Sequence, residues 1–293
     1  MTSVYITNQQ IQVVVGTASQ SGIAVRRVMT EPLPEGCMLN GAIINPTEIS
    51  QRLSALFKRE KLSGNVHLVI DSSDVHTRVM ETPILSERPL REYLQIELQE
   101  LDPMRDPLID YMVLDPRTEA GGGLVLAAQM ERTLVGDYLA LFSEAKITVE
   151  SIIPALAAVI DLAQHHKLLA DDTCILSVFD GSMMTQILFV EGKYRFSKRI
   201  RLMNEFGTDA LVEELERSFS SLLQFYRTEQ RTTPLSSVYF CGFPGDVGAQ
   251  FVRFLDTLGI RITALPEDAF VQTDNQCRLS DSLYVIGNLL AST

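Results

Sequence analysis

Three glycine-bearing turns are the places where this 293-residue sequence could hold a phosphate. Asp180-Gly181 ends a strand-like run shortly before Thr185. Gly121-Gly122-Gly123 separates two apolar segments. Cys241-Gly-Phe-Pro-Gly-Asp-Val-Gly248 lies between a strand-like and a helix-like stretch. Glycine lets backbone N–H groups approach phosphate oxygens, and a neighbouring aspartate positions a magnesium shell or an attacking water. The triple glycine is followed by neither a Lys-Ser/Thr pair nor a helix start, so it reads as a flexible hairpin tip. Gly242, Gly245 and Gly248 do not have the dinucleotide-binding spacing, and Asp246 is placed to cap the next helix, where its charge repels phosphate.

Metal and thiol chemistry find little support. Cys37, Cys174, Cys241 and Cys277 are far apart and form no C-x-x-C pair; Cys174 and Cys241 sit in strand-like runs, as small buried hydrophobes do. His67 and His76 stand alone, and the adjacent His165 and His166 point in two directions on a helix, a poor chelate. No metal site is expected.

Composition narrows the class. Apolar residues make up 46% of the chain and charged residues 21%, the balance of a globular protein. The net charge of −12 argues against a nucleic-acid partner, since nothing is gained by releasing counterions from a polyphosphate. Arg195, Lys198, Arg199 and Arg201 form the densest basic run; on a strand they divide between two faces, which reads as a solvated edge. Ile152 to Ala163 is too short to span a bilayer, and Met1 to Ile6 lacks the features of a signal peptide. A cytosolic protein without direct membrane insertion is expected.

The elements that must position the turns follow from apolar spacing. Strands are expected at Ile11 to Val15, Ile23 to Val28 and Ala42 to Ile44, then a helix opened by Pro46 and Thr47, ended by Gly64, and a strand at Val66 to Ile70. The second half repeats this: strands at Ile175 to Phe179, Thr185 to Val190 and Tyr194 to Ile200, with Glu191-Gly192 as a turn. A helix from Thr208 to Gln230, a strand at Val238 to Cys241, a helix near Val247 to Leu258 and a strand at Ile260 to Thr263 follow. This duplicated order is the plan of the actin, Hsp70 and hexokinase superfamily. Between the halves lies an insert with strands at Val75 to Met80, Leu108 to Leu114 and Leu124 to Gln129, and helices at Leu90 to Leu101 and Leu134 to Ala145.

Several segments, in order along most of the chain, resemble PilM, the actin-like protein of type IV pilus assembly. Leu33 to Pro46 resembles that family's Pro-x-Gly…Asn-Gly-x-Ile-x-(Asp/Asn)-Pro passage. Val75 to Pro83, the helix to Leu101 and Ile109 to Leu114 are similar to its inserted subdomain. Glu191 to Ile200 and Glu213 to Arg227 look like its hairpin and long helix, and Asp281 to Leu290 resembles its returning C-terminal helix. The resemblance implies an α/β, actin-like (duplicated ribonuclease H-like) two-domain fold with a small inserted α+β subdomain in the first half. Residues 1–73 and 147–170 belong to domain I, 74–146 to the insert, 171–279 to domain II and 280–293 to a helix returning to domain I.

The resemblance also implies a nucleotide site, and this sequence departs from it at each loop. The family's Asp-Ile-Gly falls on Tyr5, Ile6 and Thr7. In the second loop its Asp falls on Val178 and its Gly on Asp180, so Asp180-Gly181 comes two residues late; either a bulge restores the position or the pair makes a plain hairpin turn. Thr185 matches a frequent threonine. In the adenosine turn Gly242 remains, but Phe243 takes the next place. Asp180, Gly181, Thr185 and Gly242 are thus a vestigial nucleotide site, with no cofactor or at most weakly bound ATP and Mg²⁺.

PilM relatives bind the cytoplasmic N-terminal tail of the membrane protein PilN, in a groove between the first half and the insert. The resemblance therefore implies a non-catalytic scaffold recruited to the inner face of the cytoplasmic membrane, with Arg78, Pro83, Leu94 and Leu98 in the partner-binding region. For Arg78 an ordinary strand residue facing solvent is the competing reading. A homo-oligomer stays open, as do an ATP-binding actin-like ATPase and a GspL-like type II secretion domain. An FtsA-like filament former is disfavoured by the missing basic amphipathic tail after Leu290.

Overall fold

The computed structural model describes residues 1–19, 22–62, 65–118, 121–165, 168–169, 172–228, 233–243, 249–266, 271–273 and 278–292. The first half is built on a six-stranded sheet. Its strands are β1 (Thr2–Ile6), β2 (Gln10–Ser19), β3 (Gly22–Pro32), β6 (Asn65–Ile70), β10 (Thr148–Pro154) and β16 (Val271–Thr273), in the order β10-β6-β1-β2-β3-β16. β1, β2 and β3 run antiparallel, and β6 and β10 add in parallel beside β1. The third strand of the first half is thus β1 at the amino terminus. The expected strand near Ala42 is a short piece, β5 (Ala42–Ile43), paired only with β4 (Met38–Leu39).

Helix α1 (Pro46–Arg59) starts where its sequence dictates. Pro46 fills the first turn, where a missing N–H costs nothing, and the Asn45 side chain accepts a hydrogen bond from the Glu48 N–H at 3.2 Å. It buries Ile49, Leu53 and Leu56 in a core shared with α3 (Arg132–Glu144). That sharing moves α3 out of the insert to which its position in the chain assigned it. Leu134, Tyr138, Leu141 and Phe142 pack with the first half, and the Tyr138 hydroxyl donates to the Gly41 carbonyl at 2.8 Å.

The second half repeats the plan on a five-stranded sheet ordered β13-β12-β11-β14-β15. Its members are β11 (Cys174–Asp180), β12 (Met183–Val190), β13 (Lys193–Arg201), β14 (Ser237–Cys241) and β15 (Arg261–Thr263). Glu191 and Gly192 both take positive φ, +52° and +70°, as the expected tight turn between β12 and β13 requires. Helix α5 (Asp209–Thr228) lays Leu211, Leu215, Phe219 and Leu222 on this sheet, and α6 (Ala249–Thr257) adds Phe251 and Leu255. Val271–Thr273 lies in the expected second domain by sequence but pairs with β3 of the first sheet.

The insert proper is a three-stranded sheet, β7 (His76–Thr82), β9 (Gly123–Glu131) and β8 (Pro107–Asp115), ordered β7-β9-β8 and covered on one face by α2 (Glu87–Leu101). Helix α4 (Ala155–Ile160) follows β10, with a π-helical turn at Asp161–His165. At the carboxyl end α7 (Leu283–Gly287) is buried against α4: a Cβ on Gly287 would stand 2.8 Å from the Ala158 carbonyl oxygen. Asn288 then donates to Ser3 Oγ at 2.9 Å and the His67 carbonyl at 3.0 Å, tying this end of the chain to β1 and β6.

Candidate functional site: the joint between the halves and the groove beside the insert

The turn between β1 and β2 satisfies its own backbone. Thr7 Oγ1 accepts from the N–H groups of Gln9 and Gln10, both at 3.0 Å, and the Thr7 N–H donates to the Gln10 carbonyl at 2.9 Å. A phosphate would need such amides free. Facing it, the β11–β12 register is unbroken from Cys174↔Phe189 to Asp180↔Met183. No bulge moves Asp180 back along its strand. Asp180 closes a two-residue hairpin in which Gly181 takes φ +57°, so the plain-turn reading is the one realised.

The two turns touch. The Tyr5 hydroxyl donates to Asp180 Oδ2 at 2.6 Å, and a Cβ added to Gly181 would stand 3.3 Å from Gln9 Nε2. Tyr5 also packs edge-on against Tyr284 of α7, with ring centroids 5.4 Å apart. A second link runs beside the first, where Arg199 Nε of β13 meets Asp71 Oδ2, just past β6, at 3.2 Å. The Arg199 and Asp71 side chains are only 17% and 14% exposed, so Arg199 is not part of a solvated edge. The basic run does divide between faces: Lys198 turns the other way and donates to the Ser218 carbonyl of α5 at 2.7 Å.

The electrostatics follow from two enclosed carboxylates sharing one guanidinium. Burial pushes the Asp180 carboxyl up to about 6, with the Tyr5 hydrogen bond opposing the shift and the Asp71 charge adding to it. Burial also raises Asp71, against the pull of Arg199. Burial, then the nearby Asp180 charge, lifts the Tyr5 phenol far above its ordinary range, so it remains a donor. A joint of this charge repels phosphate, and among the described residues no three metal-ligating side chains come together. The residues present do not fit a magnesium triphosphate between these turns.

Thr185 pairs with Val178 and Arg199 and lines a cavity of about 140 Å³ with Asp71, Ser197 and Tyr284. Gly242, at φ +69°, is demanded by packing: a Cβ there would stand 2.4 Å from the Phe179 carbonyl oxygen. Phe243 packs among Phe179, Phe206 and Phe240, with ring centroids 4.7, 5.2 and 5.8 Å away. The cap expected of Asp246 lies outside the described residues, as do Cys277 and His166. Cys37, Cys174 and Cys241 are buried, and burial pushes the Cys174 thiol up to about 12. Asp71 was missed by the sequence reading; its only signal is an acidic residue at the end of the buried strand β6.

A second cavity, about 370 Å³, opens between the insert and the first half. Leu108 to Met112 of β8 form one wall and Ile152 to Pro154 of β10 another; Leu126, Met130 and Val135 supply apolar floor, and Asp110 is the one charged lining residue. A groove at this junction was expected, but other residues make it. Leu94 and Leu98, 0% and 2% exposed, are core between α2 and the opposite face of the sheet, so they present nothing to a partner. Arg78 and Pro83 are exposed but do not line the cavity.

No family model and no curated protein sequence matches the chain. Comparison of folds does find relatives. A chain of a PilM–PilN type IV pilus biogenesis complex superimposes with a TM-score of 0.81 over 98% of this chain and 97% of its own, at 16% identity. The chain has a PilM-like, actin-like fold. A Bacteroides thetaiotaomicron protein with an actin-like ATPase fold matches at TM-score 0.57, 10% identity and 97% and 94% coverage. The cytoplasmic domain of EpsL, an inner-membrane component of the Vibrio cholerae type II secretion system, matches at TM-score 0.51, 11% identity and 100% and 94% coverage. In this actin-like frame the β1–β2 and β11–β12 turns are the two facing hairpins at the joint, and here they are closed on each other. No helix among the described residues is long and apolar enough to cross a membrane.

Proposed function

We propose that the chain is a non-catalytic scaffold of a type IV pilus, or related secretion, inner-membrane assembly complex. In this reading it binds the cytoplasmic N-terminal tail of a PilN-like membrane protein and is thereby recruited to the inner face of the cytoplasmic membrane. The observation that carries the proposal is the apolar groove between β8 and β10, open to solvent and large enough to take side chains of a short peptide. The likeness in fold to the chain from a PilM–PilN complex supports the same assignment. So does the joint: Thr7 takes up the amides of the first turn, Tyr5 bridges to Asp180, and the charge there opposes a nucleotide.

The test is calorimetric titration of a synthetic peptide of such a tail into the protein, with and without Mg-ATP. Saturable 1:1 binding unchanged by Mg-ATP is expected. Tight binding of Mg-ATP with no binding of the peptide overturns the proposal in favour of an ATP-dependent actin-like protein.

A further inference from the structure

We propose that the end of the first half where α1 and α3 terminate is a basic face that rests on an anionic membrane surface. The inference goes beyond the tail-binding role and does not depend on the groove. Both helices stop in the same way. After α1 the Leu62 N–H donates to the Phe57 carbonyl and the Lys61 N–H to the Lys58 carbonyl; after α3 the Ile147 N–H donates to Phe142 and the Lys146 N–H to Ser143. This closure needs a left-handed residue, for which glycine is the usual choice. Here lysine takes both places, at φ +52° for Lys61 and +60° for Lys146, a conformation that strains an L side chain. Lys58 and Arg59, in the last turn of α1, offset the helix dipole as cations at a helix end do. The two lysines beyond the helices carry strain as well as charge, and strain kept where glycine would relieve it points to a use.

The first sheet gathers these charges at one end. Helices α1 and α3 lead into the parallel strands β6 and β10, which start side by side with Asn65 opposite Thr148, and Ser54 Oγ donates to the Ala145 carbonyl at 3.3 Å between the helix ends. The register carries the same level across the sheet: Val149 lies opposite Val66, Val66 opposite Thr2, Thr2 opposite Val15, and Val15 opposite Arg27. Beside Arg27 the ladder is irregular and leaves Arg26 without a partner residue on β2. Arg26, Lys58, Lys61 and Lys146 are all exposed, and among the described residues their side chains make no ion pair. The nearby carboxylates are mostly engaged. Glu60 binds Arg27 and Arg59, Glu31 binds Arg52 and Arg59, and Glu150 meets Asn65 and His67. Of these neighbours, Glu144 is left to oppose the four cations.

The spread of the cations describes the partner. From Arg26 on β3 to Lys146 ahead of β10 the sheet order counts four strand spacings, a width of about 20 Å. That is too wide for one small anion and suits a surface carrying many phosphates. The cytoplasmic leaflet is negatively charged, and each Lys or Arg held near it adds attraction. The rest of a chain of net charge −12 is repelled by the same leaflet, so this end is the one that turns to the lipid. Strand β10 runs from this end to the groove at Pro154, about 20 Å on, so one edge strand joins the basic face to the proposed tail site.

Co-sedimentation of the whole chain with lipid vesicles, without any tail peptide, tests the proposal separately from the groove. The chain should bind phosphatidylcholine vesicles that contain phosphatidylglycerol, leave pure phosphatidylcholine vesicles alone, and be released by raised salt. The double variant Lys61→Gly, Lys146→Gly should bind about tenfold or more weakly, while its unfolding free energy stays level or rises because glycine relieves both left-handed positions. Removing two exposed cations elsewhere, Arg88→Gln and Arg261→Gln, should change binding by less than about threefold. Absence of binding to the phosphatidylglycerol vesicles, or an equal loss in the two double variants, overturns the proposal. So does binding of free glycerol phosphate as tight as that of the vesicles, which makes the face a small-anion site instead.

Discussion

Tyr5 at the end of β1 and Asp180 at the end of β11 are joined by a 2.6 Å hydrogen bond that crosses from one half of the molecule to the other. The two residues lie 175 positions apart and meet where the facing hairpins of the actin-like frame approach. Tyr5 stands where the PilM resemblance has an aspartate. The substitution turns a carboxylate into a donor, and the donor finds the one acid that the second hairpin offers. Together with Asp71–Arg199, this contact ties the two halves to each other.

Removing the donor tests that link. Tyr5→Phe keeps the ring packed on Tyr284 but leaves an enclosed carboxylate without its phenol partner. The variant should lose about 1.5–3 kcal/mol of unfolding free energy at neutral pH, measured by urea titration. A loss below about 0.5 kcal/mol contradicts an inter-half bond of structural weight.

The Asp180 carboxyl gives the chain a pH dependence of definite sign. Its folded value is about 6, whereas an unfolded aspartate titrates near ~3.9. Between these values the folded chain keeps a proton that the unfolded chain has released, so this residue's contribution falls as pH rises through the window and is level above it. Asp180→Asn abolishes the term. The stability of the variant relative to the natural chain should rise by about 1–3 kcal/mol from pH 4 to pH 7. A difference that does not change with pH would show that Asp180 is not held against ionisation.

The glycines of the two altered turns separate packing from ligand binding. Gly242→Ala places a Cβ 2.4 Å from a backbone oxygen at φ +69° and should cost about 2–4 kcal/mol. Gly181→Ala meets only the flexible end of Gln9, at 3.3 Å, and should cost about 1–2 kcal/mol. Equal losses in thermal or chemical unfolding contradict the packing account of Gly242.

Much of the fold was legible because its signals are local. The stripes Leu53-Leu56 and Leu215-Phe219-Leu222, the Asn45-Pro46 helix start and the Glu191-Gly192 turn each specify an element within a few residues. What was illegible depends on distant partners. β1 is only five residues long and takes its place by pairing with β2 and β6, and Val271–Thr273 declares itself a strand of the first sheet only by pairing with β3. The leucine spacing of α2 correctly says that Leu94 and Leu98 are buried, but spacing does not say against which surface; they fill the insert's own core. Asp180 and Gly181 were found because glycine turns are visible, whereas Asp71 and Arg199 acquire their roles only when the halves meet.

The central claim is that the groove between β8 and β10 is the working surface, and the most direct measurement is peptide affinity for a protein altered only there. Ala157 on α4 lines the cavity and is partly exposed, so Ala157→Arg fills the groove with a charged side chain while leaving the core intact. Calorimetry with the PilN-like tail peptide should show at least about a hundredfold loss of affinity for this variant, whose unfolding transition stays close to that of the natural chain. Undiminished binding to Ala157→Arg would contradict the account.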